Sequence, residues 1–310
     1  MKRIAIAFLL ILSGSSLSAE YRHFAQLPVD AELTSRLSGV AEEILKEFAS
    51  AKQTADNLSM TVIDLSDSTA RRASYHGELN MYPASVVKLF FMVMAYDQIE
   101  RGEMKLTPEL QRGLRDMIVD SNNDATAYIV DRITGTTSGE ELSGRAEKKF
   151  MERRRSINRF FDKRGYSVGA MLKAWCEGPY GRDKMAMGPN RENRNRMTSD
   201  QVAALMYDLV SRRAVSPRAS DAMLELMQRD VKPERKSENQ VKEFTGEALP
   251  AGSKLWSKAG WTSEVRHDAA YVELPNGRKY ILVACTRGAA GDVKLLPAIS
   301  KRIVALFSAP

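Results

Sequence analysis

The chain has 310 residues, 44% hydrophobic and 27% charged, with 19 glycines and 11 prolines. That composition excludes collagen-like, low-complexity and wholly disordered proteins and fits one large or two modest globular domains. Two cysteines and three histidines give no disulfide framework and little from which to build a zinc site. The net charge of +7 is too small and too scattered for a nucleic-acid-binding surface.

Met1, Lys2 and Arg3 make a positive start, Ile4 to Leu12 is apolar, and Ser13 to Ala19 is mostly small and polar. Residues 1–19 therefore read as a secretory signal peptide, because the apolar run falls short of the ~20 residues that span a bilayer. No cysteine lies near the cleavage region, which argues against a lipoprotein anchor. Loss of Lys2 and Arg3 lowers the net charge from +7 to +5. The expectation is an exported protein, periplasmic or secreted, without a stable membrane span.

Leu33, Leu37, Val40, Ile44, Leu45 and Phe48 recur at helical spacing and predict a first amphipathic helix over 30–50. Alternation and β-branching over Leu58 to Asp64 predict a strand, and an extended stretch near Arg72 to His76 can pair back with it. From Ser85 to Arg229 the pattern is mostly helical, with a capping box at Thr198-Ser-Asp-Gln201. Arg145 to Arg164 holds nine basic residues against three acids. It reads as a solvated basic helix face, with contact to an anionic polymer or lipid headgroups as the alternative. Leu255 to Trp261, Asp268 to Leu274 and Lys279 to Thr286 are strand-like, and Pro275-Asn-Gly277 makes a hairpin of the last two. Residues 292–307 close the chain as a helix. The predicted class is α/β in the α+β sense. One antiparallel sheet is built from both chain ends (20–84 and 252–310) and flanked by terminal helices, with an all-helical insert over 85–251.

Tyr82-Pro-Ala-Ser85-Val-Val-Lys88 runs into an apolar stretch. Ser85 and Lys88 then share one face of a buried helix, the serine at its start. A buried lysine loses part of its preference for charge and can act as a base toward the hydroxyl. The plainer reading is an N-cap serine with a snorkelling lysine. Ser121-Asn-Asn123 offers a hydroxyl and an amide after a helical connection that can return to the same cleft. The same tripeptide pattern also occurs at Ser156 and Ser237. Lys258-Ala-Gly260 opens the first C-terminal strand, read as an edge strand, and puts a cation beside a backbone that a ligand can approach closely.

Ser85-x-x-Lys88, Ser121-x-Asn123 and Lys258-Ala-Gly260, in this order, resemble the three motifs of the serine β-lactamase and penicillin-binding protein superfamily, with a layout most similar to its class A branch. The resemblance implies an acyl-enzyme on Ser85 with Lys88 as its activating partner. Ser121 would shuttle a proton to the leaving nitrogen, and Lys258 would support Ser121 and attract a substrate carboxylate. Asn123 and Gly260 would bind substrate, and the N–H groups of Ser85 and Trp261 would form the oxyanion hole. It implies a small β-lactam or a cell-wall peptide as substrate, no nucleic acid, no metal or cofactor, and a monomer.

The sequence also departs from that pattern. Asn122 and Ala259 stand where aspartate and a hydroxyl residue are usual, so Thr262 or Ser263 would have to replace the lost hydroxyl. The interval from Ser85 to Ser121 is short. No loop glutamate for deacylation is recognisable, the acids before the Thr198 helix being Glu177, Asp183 and Glu192. Glu192 is weighed as that base against a salt-bridged loop carboxylate. These gaps predict slow deacylation. They leave open a non-turnover peptidoglycan-binding or sensor protein, or a hydrolase of other small amides or esters. No G-x-S-x-G elbow occurs, and His267 reads as a structural or surface histidine. Cys176 and Cys285 could pair in an oxidising compartment.

Overall fold

A computed structural model describes residues 23–174, 178–231 and 240–308. The signal segment read over residues 1–19 lies outside them. Among the described residues no helix is long and apolar enough to cross a membrane.

The sheet has six strands: β1 (Leu58–Asp64), β2 (Arg71–Tyr75), β3 (Gln228–Arg229), β4 (Lys254–Trp261), β5 (Val265–Glu273) and β6 (Lys279–Arg287). Their order is β2-β1-β6-β5-β4-β3 and all pairings are antiparallel. The first strand thus pairs with the last, which closes both chain ends into one sheet. Gly277, at φ +85°, makes the β5–β6 hairpin turn where a side chain would be strained. The two-residue β3 covers β4 only at Leu255 and Trp256, so Lys258 to Trp261 is edge, while the beginning of the strand is not. Thus the predicted edge strand is edge only in its second half.

Side-chain alternation divides the sheet into two faces. Leu58, Met60, Val62, Leu282 and Ala284 pack against α2 (Ala31–Glu47) and the C-terminal helix (Leu295–Ser308). Ile63, Ile281, Val283 and Ala269 face the helical insert. That insert runs α3 (Lys88–Glu100), α4 (Pro108–Ile118), α5 (Asn123–Thr134), α6 (Gly144–Arg154), α7 (Ser156–Asp162), α8 (Gly181–Met187), α9 (Ser199–Val210) and α10 (Pro217–Met227). A single turn, α1 (His23–Gln26), precedes α2.

Thr198 caps α9 through the predicted capping box. Ser59 and Thr61, on the insert face of β1, both reach Ser199 Oγ at 2.7 Å, and Thr61 also donates to Asp200 at 2.6 Å. α3 is buried almost all round, as its apolar run predicts. The basic segment corrects one expectation. Arg154 is fully buried, because α6 turns Phe150 and Arg154, one helical turn apart, toward the core. His267 lies on β5, fully buried, which is the structural one of its two readings.

Candidate active site

The site forms where the start of α3, the loop before α5 and the edge half of β4 meet. Ser85 lies in a short 3₁₀ turn, Ala84–Val87, that leads into α3 at Lys88. Ala84 before it has φ +45° and Ser121 has φ +54°, both uncommon for residues with a Cβ. Strain of this kind persists only where the surroundings enforce it. Here β4 supplies the constraint. A Cβ at Gly260 would lie 2.7 Å from Ser85 N, 2.8 Å from Val86 N and 2.9 Å from Pro83 O, so only glycine lets the turn sit on the strand. Ser85 itself is half-buried, and no described residue hydrogen-bonds its hydroxyl.

Lys88 Nζ donates to Ser121 O at 2.6 Å, Asn123 Oδ1 at 2.8 Å and Ser121 Oγ at 3.2 Å. Lys258 Nζ lies 3.0 Å from Ser121 Oγ, 2.7 Å from Gln240 Oε1 and 2.6 Å from Ala259 O. Both lysines are fully buried. Burial pulls the Lys258 ammonium well below its ordinary pKa, and the Lys88 and Arg229 cations push it the same way. Arg229 bonds Ser257 O on one side and Ile118 O and Val119 O on the other, tying the Ser121 loop to β4. Desolvation lowers its own pKa to about 10.

Behind Ser85, His267 Nδ1 accepts the Thr286 N–H at 3.1 Å, so Nε2 carries the proton and donates to Tyr82 O at 2.8 Å. Burial lowers its pKa to about 4 and keeps it neutral. On the opposite face of β5, Asp268 Oδ2 accepts from Thr245 N and Oδ1 has no partner among the described residues. Burial raises that carboxyl to about 6.

Ser85, Lys88, Ser121, Asn123, Lys258 and Gly260 are thus brought to one place. Trp261 ends β4 half-exposed, its ring 5.4 Å from that of Phe244. The Thr262 hydroxyl accepts from Glu264 N and Val265 N and lines a neighbouring cleft of about 290 Å³ together with Tyr82, Arg194 and Asn195. Glu192 is not brought in: its carboxylate accepts from Asn190 N inside its own turn and faces surface clefts bounded by α6 and α7. Asp183 is committed elsewhere, 2.8 Å from Arg154 in a buried cluster with Asp131 and Lys173. Glu177 and Cys176 lie outside the described residues; Cys285 is free and buried on β6.

Sequence reasoning missed Gln240, Arg229 and the Arg154 cluster. The Phe150–Arg154 spacing on an otherwise polar helix was a usable signal for the last. Nothing in the sequence around Gln240 distinguishes it.

A family model described as "Beta-lactamase enzyme family" matches residues 40–113 and 107–307, most of the chain. The chain belongs to the beta-lactamase enzyme family. No curated protein matches it. The fold is shared with PBP-A, at 19% identity over 87% of this chain and 96% of that one, TM-score 0.61. A PBP-A mutant of the same similarity was solved as an acyl-enzyme complex with penicillin G. A beta-lactamase from Sphaerobacter thermophilus DSM 20745 is 18% identical over 87% of this chain and 97% of that one, TM-score 0.64. A class A beta-lactamase from Bacteroides cellulosilyticus DSM 14838 is 15% identical over 89% and 99%, TM-score 0.63. Family membership makes the chain a serine hydrolase of beta-lactamase type.

Proposed function

We propose that this is an exported serine hydrolase that acylates Ser85 with a β-lactam or with an amide or ester resembling D-alanyl-D-alanine, and releases the acyl group slowly. The observation that carries the reading is the Ser121 hydroxyl held between two buried lysines beside the Ser85 turn. Ser85 Oγ attacks the carbonyl carbon and its proton enters at Lys88. Ser121 then delivers a proton to the leaving nitrogen as the C–N bond breaks. Asn123 orients the substrate amide, and the N–H groups of Ser85 and Trp261 hold the oxyanion. The acyl-enzyme of a PBP-A mutant with penicillin G supports this chemistry for the fold. Intact-mass measurement after exposure to a penicillin is expected to give a covalent adduct in the wild type and none in Ser85→Ala. An unmodified wild type under a panel of β-lactams and activated esters would reject the reading.

Deacylation requires a base within hydrogen-bond reach of the attacking water. Of the three acids before the Thr198 helix, Asp183 is taken up by Arg154, Glu192 by its own turn, and Glu177 lies outside the described residues. We assign the role to Lys88, which gives a burst followed by weak turnover. Glu192→Gln is expected to leave the slow phase unchanged; a much longer-lived acyl-enzyme in that variant would identify Glu192 as the base. The same committed carboxylates favour a second reading, a peptidoglycan- or β-lactam-binding sensor. For that protein the adduct would form stoichiometrically with no steady-state turnover of a chromogenic β-lactam.

A further inference from the structure

The basic run over Arg145 to Arg164 takes no part in the chemistry at Ser85, yet the fold gathers some of its charge at one place. Arg155 ends α6 and Arg159 lies in α7; the Arg159 N–H donates to Arg155 O at 3.0 Å, so the two side chains share a face one turn apart. With Arg194 and Arg196, from the segment before α9, they line a surface cleft of about 340 Å³. Four arginines there meet two carboxylates, Asp162 and Glu192. Arg145 and Lys149 belong to the same run and are exposed, but do not line the cleft.

These arginines are not paired as others on the surface are. Arg112, Arg212 and Arg302 each hold a carboxylate at 2.8 Å or less. Among the described residues no carboxylate stands at ion-pair distance from Arg155, Arg159 or Arg196, and Arg194 has only Glu264 of the neighbouring cleft, at 3.4 Å. The groups are nonetheless held in place. Arg159 Nη2 donates to Glu152 O at 2.8 Å, and the Arg194 guanidinium lies 4.0 Å from the centre of the Tyr82 ring. Arg196 pairs backbone to backbone with Gly169, where a Cβ would lie 2.8 Å from Arg196 Cγ, so glycine makes room for the arginine stem. Asn158, also in the lining, accepts the Ala170 N–H at 2.8 Å through Oδ1, which leaves Nδ2 as a donor. Less ordering is lost on binding when donors are already fixed.

Like charges gathered in a concave surface focus the field and attract a counter-ion, and the guanidinium fork matches the oxygens of carboxylate and phosphate. Number decides between the two. Three arginines without a carboxylate face the cleft, and a phosphate ester brings three acceptor oxygens and up to two negative charges where a carboxylate brings two oxygens and one. The exposed large apolar side chains are Val29, Leu106, Tyr180, Trp261 and Val293, none of them on α6 or α7, so nothing beside the cleft would enter a lipid surface. We propose that the Arg155–Arg159–Arg196 cleft is an anion site that binds a phosphate ester carried on a water-soluble molecule.

Thermal unfolding of the whole protein, with phenyl phosphate replacing chloride at constant ionic strength, tests the site. A saturable rise in Tm reports binding. The double variant Arg155→Gln/Arg159→Gln should raise the half-saturating concentration about tenfold or more. Arg145→Gln/Lys149→Gln removes the same number of charges from the same run, outside the cleft, and should leave it unchanged. Benzoate should bind about tenfold more weakly than phenyl phosphate. No saturable rise, or an equal loss in both double variants, means diffuse surface charge and overturns the proposal. Benzoate binding as well as phenyl phosphate overturns the choice of phosphate.

If Arg155→Gln/Arg159→Gln does not fold, Arg196→Lys decides. It keeps the charge and loses the planar fork, so phenyl phosphate should bind several-fold more weakly. An unchanged half-saturation overturns the site. Sedimentation with vesicles of phosphatidylglycerol or phosphatidylcholine distinguishes a lipid source. Protein that pellets with the phosphatidylglycerol vesicles but shows no saturable response to phenyl phosphate has a membrane-facing patch instead, and the proposal fails. None of these readouts depends on acylation of Ser85, so the cleft and the hydrolase reading stand or fall separately.

Discussion

The two walls of the cleft are held by different physics. On the sheet side, the Ser85 turn is seated by backbone contact with Gly260 and by a neutral hydrogen bond from His267 to Tyr82 O. On the other side, residues of α5, α6, α8 and the loop that carries Lys173 are joined by buried charge. Arg154 pairs with Asp183 and Asp131, and Lys173 with Asp131 at 2.6 Å. Desolvation lowers the Arg154 pKa, and the two carboxylates oppose it. The sheet wall depends on shape and the other wall on charge balance. A small change of volume should therefore cost activity in the first, and a lost charge should cost stability in the second.

Arg154→Leu is the sharpest way to break the comparison. It leaves buried Asp183 with Lys173, 4.0 Å away, as its remaining cation, and removing one partner of a buried pair typically costs ~3–5 kcal/mol, the size expected here. Urea unfolding at neutral pH measures it. Acylation of the fraction that stays folded should change far less than stability does. A loss below about 1 kcal/mol would mean that the cluster is not what holds this wall, since surface pairs are worth that little.

Gly260→Ala tests the sheet wall. The added methyl meets backbone atoms of residues 83, 85 and 86, which cannot rotate away. The Ser85 turn must shift, and a misplacement of about 1 Å can lower a rate roughly 10²-fold. Acylation kinetics with thermal unfolding of the same sample separate the two effects. A variant that acylates at the wild-type rate would show that the close approach does not position Ser85, the proposed nucleophile.

The contrast also explains what could be read from the sequence. Period-two alternation over Leu58 to Asp64 and the Asn-Gly hairpin located β1 and the β5–β6 turn, because one buried face and one φ > 0 position leave a local trace. Ser85, Lys88, Ser121 and Lys258 were legible because three short motifs carry them. The charged wall was not. Whether an arginine in a basic run faces water or two carboxylates depends on Asp131, 23 positions away, and Asp183, 29 away. Only the Phe150–Arg154 spacing hints at it. Gln240 left no trace, since its four hydrogen bonds go to residues from distant parts of the chain. For His267 the sequence left a structural and a surface reading open, because its burial comes from β6 and the Tyr82 segment, which the local sequence does not contain.

His267 sharpens the comparison most finely, since it holds the sheet wall only while neutral. Its folded pKa, about 4, lies below the ordinary 6.5. The unfolded chain therefore binds a proton here before the folded one does, and stability falls as pH drops from about 6.5 toward 4. Asp268 works in the opposite direction. Its folded pKa of about 6 lies above 3.8, so it contributes stability as pH falls through the same window. The neighbours nearly offset each other in the wild type. His267→Gln removes only the first effect while an amide can still donate to Tyr82 O. At pH 7 the variant should be less stable than the wild type. At pH 5 the deficit should shrink by about 2 kcal/mol, at 1.36 kcal/mol per pH unit over roughly 1.5 units. Urea unfolding at the two pH values measures the difference of differences. An equal deficit at both would mean that His267 does not titrate against the fold, and that its bond to Tyr82 O is a packing contact independent of protonation.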